Sequence, residues 1–232
     1  NAFNVAVGAS SGAAVTTGTN NVLLGTSTGE RITTGEKNVA IGSAALDHLT
    51  DADNNVAVGH NALTADVMGS KSTAIGYQTL QAQTYSTATE SHNTAVGHEA
   101  GKTITTGINN SLVGSGSGDA LTTGGYNTAI GGFALTADDV GSKTTAIGWG
   151  ALQAQNYSTA TDSLNVAVGY NAAASVNTGT QSVIIGAHAA DAVTTGTYNV
   201  AVGTYALTDE TTGQRTTAIG YGALSSQNFT TS

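Results

Sequence analysis

Three aromatic residues, Tyr77, Trp149 and Tyr221, recur with a constant period of seventy-two, and eight positions beyond them stand Tyr85, Tyr157 and Phe229. Gln83, Gln155 and Gln227 lie beside the second set. A flat apolar ring next to a side-chain amide suits a sugar, because the ring covers its C–H face while the amide bonds its hydroxyls. These six aromatic residues are the candidate glycan or receptor contacts, on loops of a repeating scaffold. The competing reading is that the rings cap the segments that carry them and cover their core.

Other residue types offer less. Lys71, Lys143 and Arg215 recur with the same period, five after Asp66, Asp138 and Glu210. That spacing predicts a surface row of ion pairs, which adds little stability; the sharper alternative is a contact for an anion or a partner. His48, His60, His92, His98 and His188 have no ligand spacing, the calcium-binding solenoid pattern is missing, and no cysteine is present. The sequence holds no triad motif, paired-carboxylate motif or phosphate loop, so neither enzyme activity nor a metal or other cofactor is expected. Six basic residues and a net charge of −9 argue against nucleic-acid binding. No apolar run is long enough to insert this segment into a membrane. Adjacent threonines, as at Thr33-Thr34, point to opposite sides of a strand, leaving an ice-binding solenoid a remote alternative. Asn109, Asn156 and Asn228 stand in Asn-x-Ser/Thr tripeptides, open to sugar in a glycosylating host.

The elements that position these residues follow from a repeat. Gly8, at the end of Asn-Val-Ala-Val-Gly, begins a series of 13 glycines that continues through Gly25 and Gly42 to Gly220. The step from Gly8 to Gly25, seventeen, is kept throughout, except from Gly76 to Gly97 and from Gly148 to Gly169, where it is twenty-one. Residues before each glycine are Val, Ile, Leu, Thr or Ser around a central Ala, Leu or Ile, which suits a strand. A second glycine ten positions on, often in Thr-Thr-Gly, marks another bend. Proline, which would break a hydrogen-bonded ladder, is absent. Asn four before the repeat glycine, in nine of 13 units, suits a stacked amide ladder. The reading is an all-β parallel β-solenoid of thirteen coils, each seventeen or twenty-one long. At about 4.8 Å per coil it would make a rod on the order of 60 Å long.

Two packing expectations follow. The residue just before the glycine and the one two earlier share a strand face, taken to be the core face, with Val7, Leu24 and Ile41 forming one continuous buried column. The residue between them then faces outward. Ala6, Leu23, Ala40, Ala57, Leu112, Ala129, Ile184 and Ala201 are accordingly the expected intersubunit contacts, because a long outward apolar stripe marks an interaction surface. Within the coil, a small residue four after the glycine accompanies an aliphatic seven after it (Gly12 with Val15, Gly29 with Ile32, Gly101 with Ile104). A Leu accompanies an acid instead (Leu63 with Asp66, Leu135 with Asp138, Leu207 with Glu210), and Leu46 with Leu49 breaks the pattern. One core slot filled from either position explains this.

The unit Asn-x-Ala-Val/Ile-Gly-x-x-Ala, present with variations in all 13 repeats, resembles the YadA-like head repeats of trimeric autotransporter adhesins, and similar repeats occur in tail fibres of bacterial viruses. The resemblance implies a left-handed β-roll, a homotrimer, and an extracellular location on a cell surface or virion fibre. The function it implies is structural and adhesive, with a host-surface glycan or protein as receptor. Both coil lengths found here exceed the family's own. Residues 1–232 are read as one repetitive segment of a longer fibre chain, since they begin without Met and stop inside a unit.

Overall fold

The computed structural model describes residues 3–228. The chain divides into two compact units, Asn1–Ser115 and Gly116–Ser232. Both are β-solenoids, with thirteen coils in all and no helix among the described residues.

Each coil contributes one three-residue strand to a parallel sheet. In the first unit these are β1 (Val5–Val7), β2 (Val22–Leu24), β3 (Val39–Ile41), β4 (Val56–Val58), β6 (Thr73–Ile75), β8 (Thr94–Val96) and β9 (Ser111–Val113). In the second they are β10 (Thr128–Ile130), β12 (Thr145–Ile147), β14 (Val166–Val168), β15 (Val183–Ile185), β16 (Val200–Val202) and β17 (Thr217–Ile219). Register follows the repeat: Ala40 pairs with Ala57 and Ile41 with Val58. Two short pairs, β5 (Gly69–Ser70) with β7 (Thr89–Glu90) and β11 (Gly141–Ser142) with β13 (Thr161–Asp162), flank the longer coils. Outside the strands the ladder continues, as in Gly12 N–H to Thr28 O (3.0 Å) and Lys37 N–H to Thr19 O (3.0 Å). Most of each backbone turn is thereby satisfied by its neighbours, as a coil with little regular structure of its own requires.

The two glycine columns have different causes. Gly97 has φ +141°, and a Cβ on it would lie 2.4 Å from Gly114 O of the next coil. Gly18 has no left-handed backbone, but its Cβ would fall 2.4 Å from Gly35 O. The first glycine answers to both conformation and contact, the second to contact alone. Left-handed residues otherwise sit two and four after the repeat glycine and five before the next, including Leu46 (φ 52°), Leu63 (51°) and Leu135 (55°). A left-handed leucine costs roughly 1–2 kcal/mol, and burying its side chain returns about 1.5–3 kcal/mol. These leucines are fully buried.

The asparagine ladder forms as expected. Asn38 N–H donates to Asn21 Oδ1 (2.9 Å), Asn55 N–H to Asn38 Oδ1 (2.9 Å), and Asn38 Nδ2 to Ala52 O (2.8 Å). The column is buried from Asn21 to Asn199 and half-buried at Asn4 and Thr216, and Ser72, Thr144, Ser182 and Thr216 occupy the places where it lacks Asn.

The strand faces are the reverse of the sequence expectation. Leu23, Ala40, Ala57, Leu112, Ala129, Ile184 and Ala201 are buried within the chain itself, so they cannot be intersubunit contacts; Ala6 belongs to the same inward column but is exposed in the first coil. The β-branched residues on either side point out, with Val7 62%, Ile41 37% and Ile130 40% exposed. The cause is the thinness of the coil. The strand centre faces the residue four after the glycine across the core: a Cβ on Gly12 would lie 3.7 Å from Ala6 Cβ and 2.8 Å from Leu23 Cδ1. Those two walls never both carry a large side chain (Leu23 faces Gly29, Ala57 faces Leu63, Leu112 faces Gly118), so the single inward residue of each three-residue strand either supplies it or yields to it.

The shared slot holds, with a third contributor. A Cβ on Gly29 would meet Ile32 Cδ1 at 2.8 Å and Leu23 Cδ2 at 2.9 Å; one on Gly101 would meet Leu112 Cδ1 at 2.7 Å and Ile104 Cδ1 at 3.1 Å. Leu46 and Leu49 are both buried beside the strand-centre Ala40.

Candidate functional site

The six predicted ring contacts separate into two groups. Tyr85 and Tyr157 are buried, at 6% and 5% exposure, and make no surface. Ladder bonds from Thr84 N–H to Thr105 O and from Ser91 N–H to Ser70 O place the four extra residues of the longer coil between Thr84 and Ser91. Tyr85 begins that insertion and turns inward, where its hydroxyl donates to Gly107 O (2.9 Å). Tyr157 repeats this with Gly179 O (2.8 Å). Both rings fill the wider interior that an insertion opens. Phe229 lies outside the described residues. Tyr77, Trp149 and Tyr221 are exposed, at 44%, 44% and 81%.

A buried polar network surrounds each inward tyrosine. Asp66 Oδ2 accepts from Gln83 Nε2 (2.6 Å), and its Oδ1 accepts from Gly69 N–H (2.9 Å). Gln83 Nε2 also donates to Ser72 Oγ (2.8 Å), while its Oε1 accepts from Asn93 Nδ2 (2.9 Å). Ser72 and Ser91 hydroxyls share a further bond. The second copy uses Asp138, Gln155, Thr144, Ser163 and Asn165. Burial raises the Asp66 and Asp138 carboxyls above their ordinary range, opposed by the glutamine and backbone donors. Burial, reinforced by Asp66, likewise pushes the Tyr85 hydroxyl up.

The expected ion-pair row therefore does not form. Asp66, Asp138 and Glu210 are interior residues, because backbone N–H groups of their own coils, and Gln83 and Gln155 of the longer coil beside two of them, need a buried acceptor. Glu210 Oε1 takes Gly213 N–H (2.7 Å) as Asp66 takes Gly69. The cations find other partners: Lys71 pairs with Glu90 (2.5 Å), Lys143 with Asp162 (2.5 Å), and the Arg215 guanidinium lies 5.4 Å from the centre of the Tyr198 ring.

The exposed rings belong to tracks that the sequence reading missed in part. In the first unit Tyr77 stacks between His60 (5.6 Å, 12°) and His98 (5.1 Å, 18°), so a ring lies on each side of it. In the second unit six rings follow one another: Phe133, Trp149, Tyr170, His188, Tyr205 and Tyr221. Their centres step by 6.0, 5.3, 5.3, 5.5 and 6.1 Å. The contacts alternate: edge-on at 79°, 64° and 88°, with stacked pairs at 14° and 12° between them. Between Tyr205 and Tyr221 lies a cleft of about 320 Å³, with Thr208, Asp209 and Ser225 on its wall.

Phe133, Tyr170, His188 and Tyr205 escaped the comparison of distant copies because the ring shifts between two adjacent positions. It is one residue after the repeat glycine in Trp149, Tyr170 and Tyr221, and two after it in Phe133, His188 and Tyr205. Its partner position is then small or polar: Gly150, Asn171 and Gly222 in the first case, Gly132, Ala187 and Thr204 in the second. Space explains part of this, since a Cβ on Gly150 would lie 2.4 Å from Asn171 Oδ1.

The other exposed feature is the outer face of the strands. Its two columns run through Val22, Val39, Val56, Thr73 and Thr94 and through Leu24, Ile41, Val58, Ile75 and Val96, with counterparts in the second unit. No charged residue occupies either column in any of the thirteen strands. Comparison with protein-family models, with curated proteins and with solved structures gives no match.

Proposed function

We propose that this chain is a structural and adhesive segment of an extracellular fibre, on a cell surface or a virion, and that it works as a homotrimer without catalysis. The observation that carries the reading is the outer strand face, a charge-free band of Val, Ile and Leu with Thr and Ser among them, one rung per coil in each unit. A long charge-free band with exposed Ile and Val is the kind of surface that marks an interaction face. A second copy with the same rung spacing matches it along its length, and closed symmetry lets identical faces meet. The likeness of the unit to YadA-like head repeats supports the trimer and the adhesive role. The contacts are now assigned to the outward Val, Leu and Ile columns in place of the Ala column. Sedimentation equilibrium tests the assembly. The expected species has three times the 22.9 kDa chain mass; a monomer at all accessible concentrations overturns it.

A further inference from the structure

We propose that the ring track from Phe133 to Tyr221 binds a neutral linear glycan laid along the second unit. The proposal deepens the adhesive half of the reading above and rests on it. Its first ground is that the track is maintained as an object: each of six successive coils supplies one ring, from either of two positions, while the other position stays small or polar.

Its second ground is the alternation of contacts. In an edge-on pair, the ring that gives its edge keeps a face that this neighbour does not cover. Three such junctions occur, one for every two coils, hence about 9.6 Å apart. An extended glycan whose alternate sugars turn the same face repeats over a comparable length. The stacked pairs between junctions are also slipped, since parallel rings with centres 5.3 Å apart touch at only about 3.5–4 Å between planes. A strip of each face stays open, in keeping with exposures of 51% at Tyr170 and 43% at Tyr205. The three-ring stack of the first unit has no edge-on junction.

The flanking chemistry selects the ligand. Residues 116–232 contain seven acids against Lys143 and Arg215 alone, so an anionic glycan is repelled. Tyrosine hydroxyls on three of the six rings, with Thr208 and Ser225 beside the last two, offer donors and acceptors to sugar hydroxyls. The positions beside the rings (Gly132, Gly150, Asn171, Ala187, Thr204 and Gly222) are small or polar and offer little to an apolar peptide.

Trp149 is the single tryptophan, so its emission reads occupancy directly. The 232-residue chain is titrated with linear neutral hexasaccharides of glucose and of N-acetylglucosamine, and with oligogalacturonate as the anionic control. The expected result is a saturable change with a neutral series and none with the anion. Tyr170→Ala and Tyr205→Ala each weaken binding about tenfold, Tyr170→Phe retains it, and Tyr77→Ala leaves it unchanged. Circular dichroism verifies folding, and Tyr205→Ala decides the matter if Tyr170→Ala does not fold. The proposal is overturned by emission that no neutral sugar moves, by tighter binding of the anion, or by both alanine variants binding as wild type. It is equally overturned if emission changes only with protein concentration, which would make the track a contact between copies. A chain that assembles but ignores sugar sinks this proposal alone; one that binds sugar as a monomer sinks only the assembly.

Discussion

At the scale of the residue, two groups tie stability to single atoms. Gly97 combines φ +141° with a backbone oxygen 2.4 Å from any added Cβ. That oxygen belongs to a laddered coil and has no flexible end to move, so Gly97→Ala should cost about 3 kcal/mol or more in chemical denaturation. A cost under about 1 kcal/mol would mean that the rungs are not held at this spacing. Asp66 and Asp138 act through protons. Their folded pKa values lie above the ordinary 3.8, so the native state binds more protons than the unfolded one, and stability falls as pH rises from about 3.8 through the raised native values. This runs opposite to an ion-paired carboxylate. Melting temperature measured from about pH 4 to about pH 7 should show this downward contribution, and Asp66→Asn with Asp138→Asn should remove it. An unchanged slope in the double variant would place the carboxyls in water.

At the scale of the element, the strand centre and the residue four after the glycine leave room for one large side chain between them, and an aliphatic seven after the glycine packs beside it in coils such as that of Leu23 and Ile32. Leu135→Ala should cost about 2–5 kcal/mol as an internal cavity. Leu23, whose methyls occupy the space over both Gly12 and Gly29, shows that a strand-centre leucine can fill such a slot. Ala129→Leu should therefore recover part of the Leu135→Ala loss. Asp138→Val should recover less, because it strips the acceptors from Gln155 and Gly141 N–H. Urea denaturation of the two double variants distinguishes them, and better rescue by Asp138→Val would contradict the facing of strand centre and leucine. The covariation was present in the sequence: Leu23, Leu112 and Ile184 are followed six positions on by Gly29, Gly118 and Ala190. Period-2 alternation identifies which strand residues share a face but not which face turns inward, and apolar residues on both faces removed the usual cue.

At the scale of the whole molecule, association through the outer strand face is the testable matter. Ile75 and Ile147, in β6 and β12, lie in the outward column. Replacing both by Glu places a charge on that face in each unit and leaves the core untouched. The expected outcome is a monomer in sedimentation with an unchanged circular dichroism spectrum, since unpaired charge in an apolar contact costs several kcal/mol. An assembly that survives the change uses another surface, the ring tracks being the next to test.

Repeat length determines much of this protein before any coordinate is known. Glycines at two fixed spacings, aliphatic triplets before them and asparagines four back already specify stacked parallel rungs, a buried amide ladder and a shared core slot. These are properties of identical neighbours, which a period reveals directly. The tertiary structure alone decided which face of the strand turns inward, that Tyr85 and Tyr157 dive into the insertion they begin, and that Asp66 is an interior acceptor. Each depends on the width of the coil, set by how far opposite walls stand apart. The ring track likewise exists only in space, because rings one and two positions past a glycine become neighbours only when the rungs are stacked.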